Sequence, residues 1–250
     1  MVVGVVALSA CNDPATEARM RGNVHMRAGE VGQALEAYQE SVRLLPDRGH
    51  GHQLLANALQ ELGRPAEAEA SYRKAIELVH PSSQVGIDSR RELAILLFHG
   101  GKPSASKDLL REVLTHRSDD VFALNRLAEV HAALGEPSEA GALIEAVLQR
   151  DPGNLNARLT QIRIASAANR WDEAVASLAA LRKLRPAEPF VDYEMAVIQA
   201  GKGDVAAAVR ALKTALAGAD AAARAKTKSD PRLASLAGDP GFLALVAPPQ

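Results

Sequence analysis

Residues 15–48 (ATEARMRGNVHMRAGEVGQALEAYQESVRLLPDR) and residues 49–82 (GHGHQLLANALQELGRPAEAEASYRKAIELVHPS) decide the fold of this chain. At an offset of 34 residues the following pairs coincide: Gly22 with Ala56, Gly29 with Gly63, Ala34 with Ala68, Tyr38 with Tyr72, and Ser41 with Ala75. Each segment reads as two amphipathic helices joined by a glycine turn. A fixed period of this length predicts a solenoid of helical hairpins, because each hairpin buries its apolar face only by stacking on the next.

The same frame continues along most of the chain. It gives six units, 15–48, 49–82, 87–120, 121–154, 155–188 and 189–222, and an insertion at 83–86 that is expected to lengthen one connection. The fifteenth position of the units holds Gly29, Gly63, Gly101, Gly135, Asn169 and Gly203. A turn with positive φ is predicted there, since Gly adopts positive φ freely and Asn tolerates it better than other residues.

Two positions of the frame hold small residues, the eighth in five of the six units, and one position is bulky. The eighth holds Gly22, Ala56, Ala94, Ala128, Ile162 and Ala196, and the twentieth holds Ala34, Ala68, Ser106, Ala140, Ala174 and Ala208. The twenty-fourth holds Tyr38, Tyr72, Leu110, Ile144, Leu178 and Leu212. Small side chains allow paired helices to approach closely, so the bulky residues are predicted to fill the core between them.

The period, the small and bulky positions and the glycine turns resemble tetratricopeptide repeats. The chain departs from that family at the fourth position, where the family's tryptophan is absent. The resemblance implies an all-α, right-handed superhelical solenoid of six hairpins. Residues 223–250 are expected to form a C-terminal capping segment, because Asp230-Pro231 and Asp239-Pro240 each predict a helix start. The alternative for this tail is a docking site for another protein.

In the tetratricopeptide family the first helices of the hairpins line a concave groove. The resemblance therefore implies a peptide-binding set: Arg19, Asn23, His50, Gln53, Asn57, Arg91, Phe98, Phe122, Asn125, Glu129, Leu159, Arg163, Phe190 and Tyr193. The amide and guanidinium groups suit the backbone of an extended peptide, and the aromatic residues suit anchoring side chains. The alternative for the aromatic residues is packing between neighbouring hairpins.

Arg19 and Asn23 match two positions of the carboxylate clamp found in chaperone-binding members of the family. The later clamp positions hold Leu54, Asp88 and Glu92, which carry no positive charge. Capture of a C-terminal Glu-Glu-Val-Asp peptide is therefore not expected.

An apolar stretch precedes the repeats. Leu8-Ser9-Ala10-Cys11 resembles the lipobox of bacterial lipoproteins, which implies a signal peptide over 1–10, lipidation at Cys11 and a linker over 11–14. Such signals carry a basic residue before the apolar run, so the natural start is expected upstream of Met1. In enteric lipoproteins an aspartate after the cysteine favours retention in the inner membrane, so the resemblance implies that a chain with Asn12 goes to the outer membrane, facing the periplasm. The alternative is an incidental cysteine on a frayed terminus.

The composition excludes several classes of function. With 29 basic and 30 acidic residues, the chain has no electrostatic footprint for nucleic acid. Its single cysteine excludes an intrachain disulfide and a cysteine-based zinc site. The letters G-x-G-x-x-A occur at 201–206, but there the repeats predict a helix and a turn instead of the strand that nucleotide binding requires. No cofactor, metal site, catalytic residue or small-molecule substrate is predicted.

These observations predict a non-enzymatic adaptor of the bacterial envelope. It would hold an extended peptide or a helix of an envelope protein in its groove, in a role similar to that of pilotin-like lipoproteins in pilus or secretin assembly. Two alternatives remain. One is a regulatory subunit of a peptidoglycan-modifying enzyme, and the other is a cytoplasmic scaffold if Cys11 carries no lipid.

Overall fold

The computed structural model of the chain describes residues 13–186 and 188–247. Helices make up 79% of the structure, and the described ranges contain no strand. The α-helices are α1 (Pro14–Arg27), α2 (Val31–Leu44), α3 (Gly49–Glu61), α4 (Pro65–Glu77), α5 (Gln84–His99), α6 (Pro103–His116), α7 (Val121–Ala133), α8 (Pro137–Arg150), α9 (Leu155–Ala167), α10 (Trp171–Leu184), α11 (Pro189–Lys202), α12 (Val205–Ala215), α13 (Ala221–Lys228) and α14 (Pro240–Val246). A 3₁₀ helix, Pro231–Leu236, lies between the last two.

The described residues divide into two compact units, one up to Ala123 and one from Leu124 onward. In the first unit α1 packs on α2, α3 on α4 and α5 on α6, and each pair also contacts the next. In the second unit α9 packs on α10 and α11 on α12, with α8 against α9 and α10 against α11. The predicted all-α fold of tandem helical hairpins is confirmed.

The turn inside each hairpin has the same backbone in all six units. The fifteenth residue has positive φ in every unit, from 56° at Asn169 to 84° at Gly203, as the sequence predicts. The next residue donates its N–H to the carbonyl five residues earlier, for example Arg64 to Leu59 at 2.9 Å. This Schellman arrangement satisfies carbonyls that the end of a helix leaves without partners. Gly or Asn at this position therefore ends the first helix and turns the chain back.

The second helix of a hairpin begins two residues after the turn. Pro65, Pro103 and Pro137 occupy its first position in α4, α6 and α8. Proline suits this position because its fixed φ is helical and the N–H that it lacks has no partner there.

The core confirms the predicted pattern of small and bulky positions. At the twentieth position the six side chains are at most 1% exposed, and the same holds for the twenty-fourth. Tyr38 shows why the eighth position is small, because a Cβ added at Gly22 would lie 2.6 Å from Cδ1 of its ring. Dense packing of this kind leaves no room for a further methyl group unless the ring moves.

The insertion at 83–86 only partly lengthens a connection. Ser83 caps α5 by accepting the N–H of Gly86 at 3.1 Å, and residues 84–86 form the first turn of that helix. A capping serine starts a helix as soon as the following amides can reach its hydroxyl. The inserted residues therefore make α5 longer than the other first helices.

The C-terminal residues cover the last hairpin. Leu233, Leu236, Phe242 and Val246 are at most 5% exposed and pack in one cluster with residues of α11 and α12. Asp230 and Asp239 cap the 3₁₀ helix and α14, as their Asp-Pro sequences predict. The tail thus buries apolar surface that the last hairpin of an array would expose.

The predicted signal peptide over 1–10 and the predicted lipidation site, Cys11, lie outside the described residues. Among the helices of the described part, none is both long and apolar enough to cross a membrane.

Replacing Gly22 with alanine should destabilise the protein. The new methyl group meets the buried ring of Tyr38, and overpacking of this kind costs about 1–3 kcal/mol, which exceeds the gain of up to about 1 kcal/mol in helix propensity. Gly141→Ala is the matched control, because a Cβ there meets nothing within 4 Å and the change should stabilise the helix. Urea unfolding of both variants measures the difference. Equal stabilisation of the two would contradict the packing assigned to Tyr38.

Candidate functional site

The residues of the predicted peptide-binding set lie on the first helices of the hairpins. The set is distributed as follows: Arg19 and Asn23 on α1; His50, Gln53 and Asn57 on α3; Arg91 and Phe98 on α5; Phe122, Asn125 and Glu129 on α7; Leu159 and Arg163 on α9; Phe190 and Tyr193 on α11. Their side chains fall into groups that differ in what they already contact.

Asn23 and Asn57 make the same contact in consecutive hairpins. The hydroxyl of Tyr38 donates to Oδ1 of Asn23 at 2.8 Å, and that of Tyr72 donates to Oδ1 of Asn57 at 2.7 Å. Burial raises the pKa of both tyrosines, so both hydroxyls keep their protons at neutral pH. Because each amide oxygen already accepts a hydrogen bond from a tyrosine, the NH₂ group is the donor that each asparagine can offer a ligand.

Arg91 contacts several groups within the first unit. Its guanidinium pairs with Asp88 and with the buried carboxylate of Asp120, and it lies 5.4 Å from the centroid of the Phe122 ring. Oδ1 of Asp120 also accepts the N–H of Ala123 at 3.0 Å. Arg91 and Phe122 are therefore brought together, but by contacts that join α5 to the start of α7.

Glu129 and Arg163 form an ion pair in the second unit. They occupy the same position in consecutive hairpins, and Glu129 also accepts from Arg126 at 2.6 Å. Asn125 is 7% exposed and its Nδ2 donates to Asn154, which caps α9. These polar groups are largely used within the protein.

The apolar and aromatic residues of α9 and α11 are partly buried. Leu159 and Phe190 pack against the core of the second unit. The hydroxyl of Tyr193 donates to Oδ2 of Asp230 at 2.7 Å, and the guanidinium of Arg232 lies 5.7 Å from its ring centroid. The C-terminal tail thus occupies Tyr193, which the sequence predicts as a peptide anchor.

Arg19 and His50 meet at a small cavity in the first unit. The cavity has a volume of about 100 Å³, and Thr16 and Arg48 also line it. Partial burial and the charge of Arg19 lower the pKa of His50, which favours the neutral imidazole. Sequence reasoning missed Arg48, because it lies in the connection between hairpins where the periodic pattern assigns no role.

A larger cavity of about 780 Å³ lies among α8, α9 and α10. Its charged groups are engaged with neighbours: Arg170 pairs with Glu173, and Arg158 donates to the carbonyl of Pro152 and to Gln161. In the described part of the chain, no group of three His, Cys, Asp or Glu side chains is placed to hold a metal ion.

Comparison with family models identifies the repeats. A model described as tetratricopeptide repeat matches residues 19–82 and 91–154, and a second model of the same description matches 132–193. The chain belongs to the tetratricopeptide repeat family. Proteins of this family generally act as scaffolds that bind other proteins, and the chain is a protein-interaction scaffold.

Solved structures share the tetratricopeptide fold. A tetratricopeptide repeat protein from Parabacteroides merdae is 17% identical, with a TM-score of 0.76 over 86% of each chain. PilW, described as a widely conserved type IV pilus biogenesis factor, is 16% identical, with a TM-score of 0.72 over 90% of this chain and 99% of its own. At these identities the likeness concerns the fold alone.

One curated relative is similar in sequence. Cellulose synthase operon protein C of Xanthomonas axonopodis pv. citri is 29% identical over 184 residues, which are 70% of this chain. The chain spans only 12% of that protein's length.

Acid should weaken the contact between the tail and Tyr193. Burial of Asp230 favours its neutral form, but hydrogen bonds from Arg232 and Tyr193 outweigh burial and lower its pKa to about 2. A lowered pKa stabilises the folded state above the ordinary pKa of 3.8, and this stabilisation disappears as pH falls towards 2. Asp230→Asn should therefore be less stable than wild type at pH 7, by up to about 1 kcal/mol because the pair is partly exposed.

Urea unfolding at several pH values tests this prediction. The difference in unfolding free energy between wild type and Asp230→Asn should shrink between about pH 4 and pH 2. In protein that also carries Arg232→Gln, Asp230→Asn should cost much less stability at pH 7. A difference that stays constant with pH would contradict the assignment.

Proposed function

We propose that this scaffold binds an extended segment of a bacterial envelope protein along α1 and α3, and that a lipid on Cys11 anchors it in the outer membrane. It acts as an adaptor and carries out no reaction of its own. Pilus or secretin assembly is the process that we favour.

The paired asparagines carry this proposal. Asn23 and Asn57 are partly exposed, and the tyrosine hydroxyls fix the orientation of both amides. An extended peptide presents carbonyl oxygens at regular intervals that need donors when they leave water. Two NH₂ groups held at equivalent positions of consecutive hairpins supply such donors without a cost of ordering them on binding.

One side chain beside them extends this surface. Arg19, which is partly exposed, lies one helical turn before Asn23, whereas Gln53, one turn before Asn57 on α3, is only 8% exposed and offers a ligand little. The aromatic anchors are less suited than the amides, because Tyr193 is occupied by the tail and Phe190 packs against the core. We therefore place the first contacts of the partner on the first unit.

The envelope location rests on sequence and on likeness. Leu8-Ser9-Ala10-Cys11 has the order of residues that lipoprotein signals share. PilW is described as a type IV pilus factor, and the curated relative bears the name of a cellulose synthase operon protein. Both names are consistent with a scaffold that assists assembly or export at the envelope.

Removing the amide donors should abolish partner binding. Asn23→Asp/Asn57→Asp keeps an acceptor for each tyrosine hydroxyl but replaces both NH₂ groups with oxygen. We expect crosslinked co-purification from envelope fractions to capture a partner with wild type, and at least about tenfold less of it with the variant.

The matched control is Gln33→Glu/Gln39→Glu, which makes the same change of charge on two exposed positions of α2. It should capture the partner as wild type does, and both variants should unfold at the temperature of wild type. Equal capture by the three proteins would place the binding surface elsewhere. Equal loss in both variants would mean that the added negative charge, and not the loss of the NH₂ donors, weakens binding.

Lipidation is tested separately. In a Gram-negative host, wild type should incorporate labelled palmitate and fractionate with the outer membrane, and Cys11→Ala should do neither. Labelling of both proteins, or of neither, would overturn the anchor while leaving the peptide-binding surface open to the test above.

A further inference from the structure

The small cavity beside Arg19 brings two arginines to one opening. Several arginines of this unit have carboxylate partners, as Arg21 has Glu40, Arg64 has Glu67 and Arg90 has Glu112. Arg19 and Arg48 both line the cavity, and within the described ranges neither guanidinium has an ion pair or a hydrogen bond. No carboxylate lines the cavity with them.

The acidic side chain at the start of α1 is already used. Asp13 caps α1: its Oδ1 accepts the N–H of Ala15 at 3.3 Å, and its Oδ2 accepts the hydroxyl of Thr16 at 3.3 Å. On the side of α2, the hydroxyl of Ser41 donates to the carbonyl of Ala15 at 2.7 Å. The polar groups around the cavity are thus satisfied, and its two cations are not neutralised.

Backbone and imidazole groups add to the positive character of the cavity. α3 begins here, and the side chain at its N-cap, Arg48, makes no capping hydrogen bond. The start of a 13-residue helix carries partial positive charge and N–H groups without helical partners. The imidazole of His50, in the first turn of α3, adds an N–H donor, and an anion beside it would favour its charged form.

The size of the cavity limits the ligand. About 100 Å³ is well below the roughly 300–1,000 Å³ of sites that enclose a drug-sized molecule, and it suits a single oxyanion group. Guanidinium groups bind such oxyanions through paired N–H donors.

We infer that this cavity binds a phosphate group, held by Arg19, Arg48, His50 and the start of α3. The phosphate belongs either to the head group of an anionic phospholipid or to free inorganic phosphate. Chain length favours the lipid. Cys11 lies four positions before Ala15 at the wall of the cavity, and four Cα-to-Cα steps span at most about 14 Å.

The lipid source rests on the anchor proposed above, and the phosphate site does not. If Cys11 carries acyl chains in the membrane, the cavity lies within reach of the head groups. Binding of one head group would then orient the first unit relative to the bilayer, which a flexible lipid anchor alone does not do.

The site is tested on the full chain carrying Cys11→Ala, which cannot be lipidated. Sodium phosphate is titrated while NMR follows the imidazole of His50. Phosphate should raise the pKa of His50, and Arg19→Gln or Arg48→Gln should weaken phosphate binding about tenfold. Arg43→Gln, an exposed arginine at the end of α2 that does not line the cavity, is the matched control and should bind as the parent does.

Vesicles distinguish the two sources. Flotation with phosphatidylglycerol–phosphatidylcholine vesicles, but not with phosphatidylcholine alone, together with release by Arg19→Gln and not by Arg43→Gln, identifies the lipid. Phosphate binding without this vesicle preference identifies free phosphate. The inference is overturned if phosphate leaves the pKa of His50 unchanged, or if Arg43→Gln weakens binding as much as Arg19→Gln. Palmitate labelling of wild type decides the anchor independently of all these results.

Discussion

The first hairpin depends on a bulky side chain of its second helix lying directly against a glycine of its first helix. Tyr38 over Gly22 shows this contact at its limit, since one added carbon at Gly22 would collide with the ring. The buried hydroxyl of that ring then requires a partner, and Asn23 on the facing helix supplies it. The same contact that closes the hairpin therefore orients an amide on the exposed face of α1. Packing and presentation of the candidate surface are one device, which Tyr72 and Asn57 repeat.

The sequence predicted the repeating features well because each rests on local chemistry. Positive φ at the turns follows from glycine, and even Asn169, the exception in composition, takes the same backbone. Burial of the small and bulky positions follows from the period. The start of α5 was harder, because Ser83 captures the amide of Gly86 and turns part of an apparent insertion into helix.

The candidate surface could be predicted only in outline. The repeat pattern places Glu129 and Arg163 at one position of consecutive hairpins, and the structure shows that they neutralise each other. Whether charges on a shared face pair or remain available depends on side-chain conformation, which a period does not determine. Arg48 and the contact between Tyr193 and Asp230 were beyond the pattern altogether, because both involve residues outside the repeated helices. The structure thus favours the amides of the first unit over the aromatic residues as the candidate binding surface.

The tail also limits where in this array a hairpin can be added. Leu233, Leu236 and Phe242 fit the face of one particular hairpin, and Asp230 and Arg232 fit Tyr193 and Glu194 of the same hairpin. A duplicated hairpin added after α12 would separate these partners and expose both surfaces. A duplication at an earlier boundary would leave them together. Over evolutionary time the array can therefore gain or lose hairpins internally, while its last hairpin and its tail are inherited as a single block.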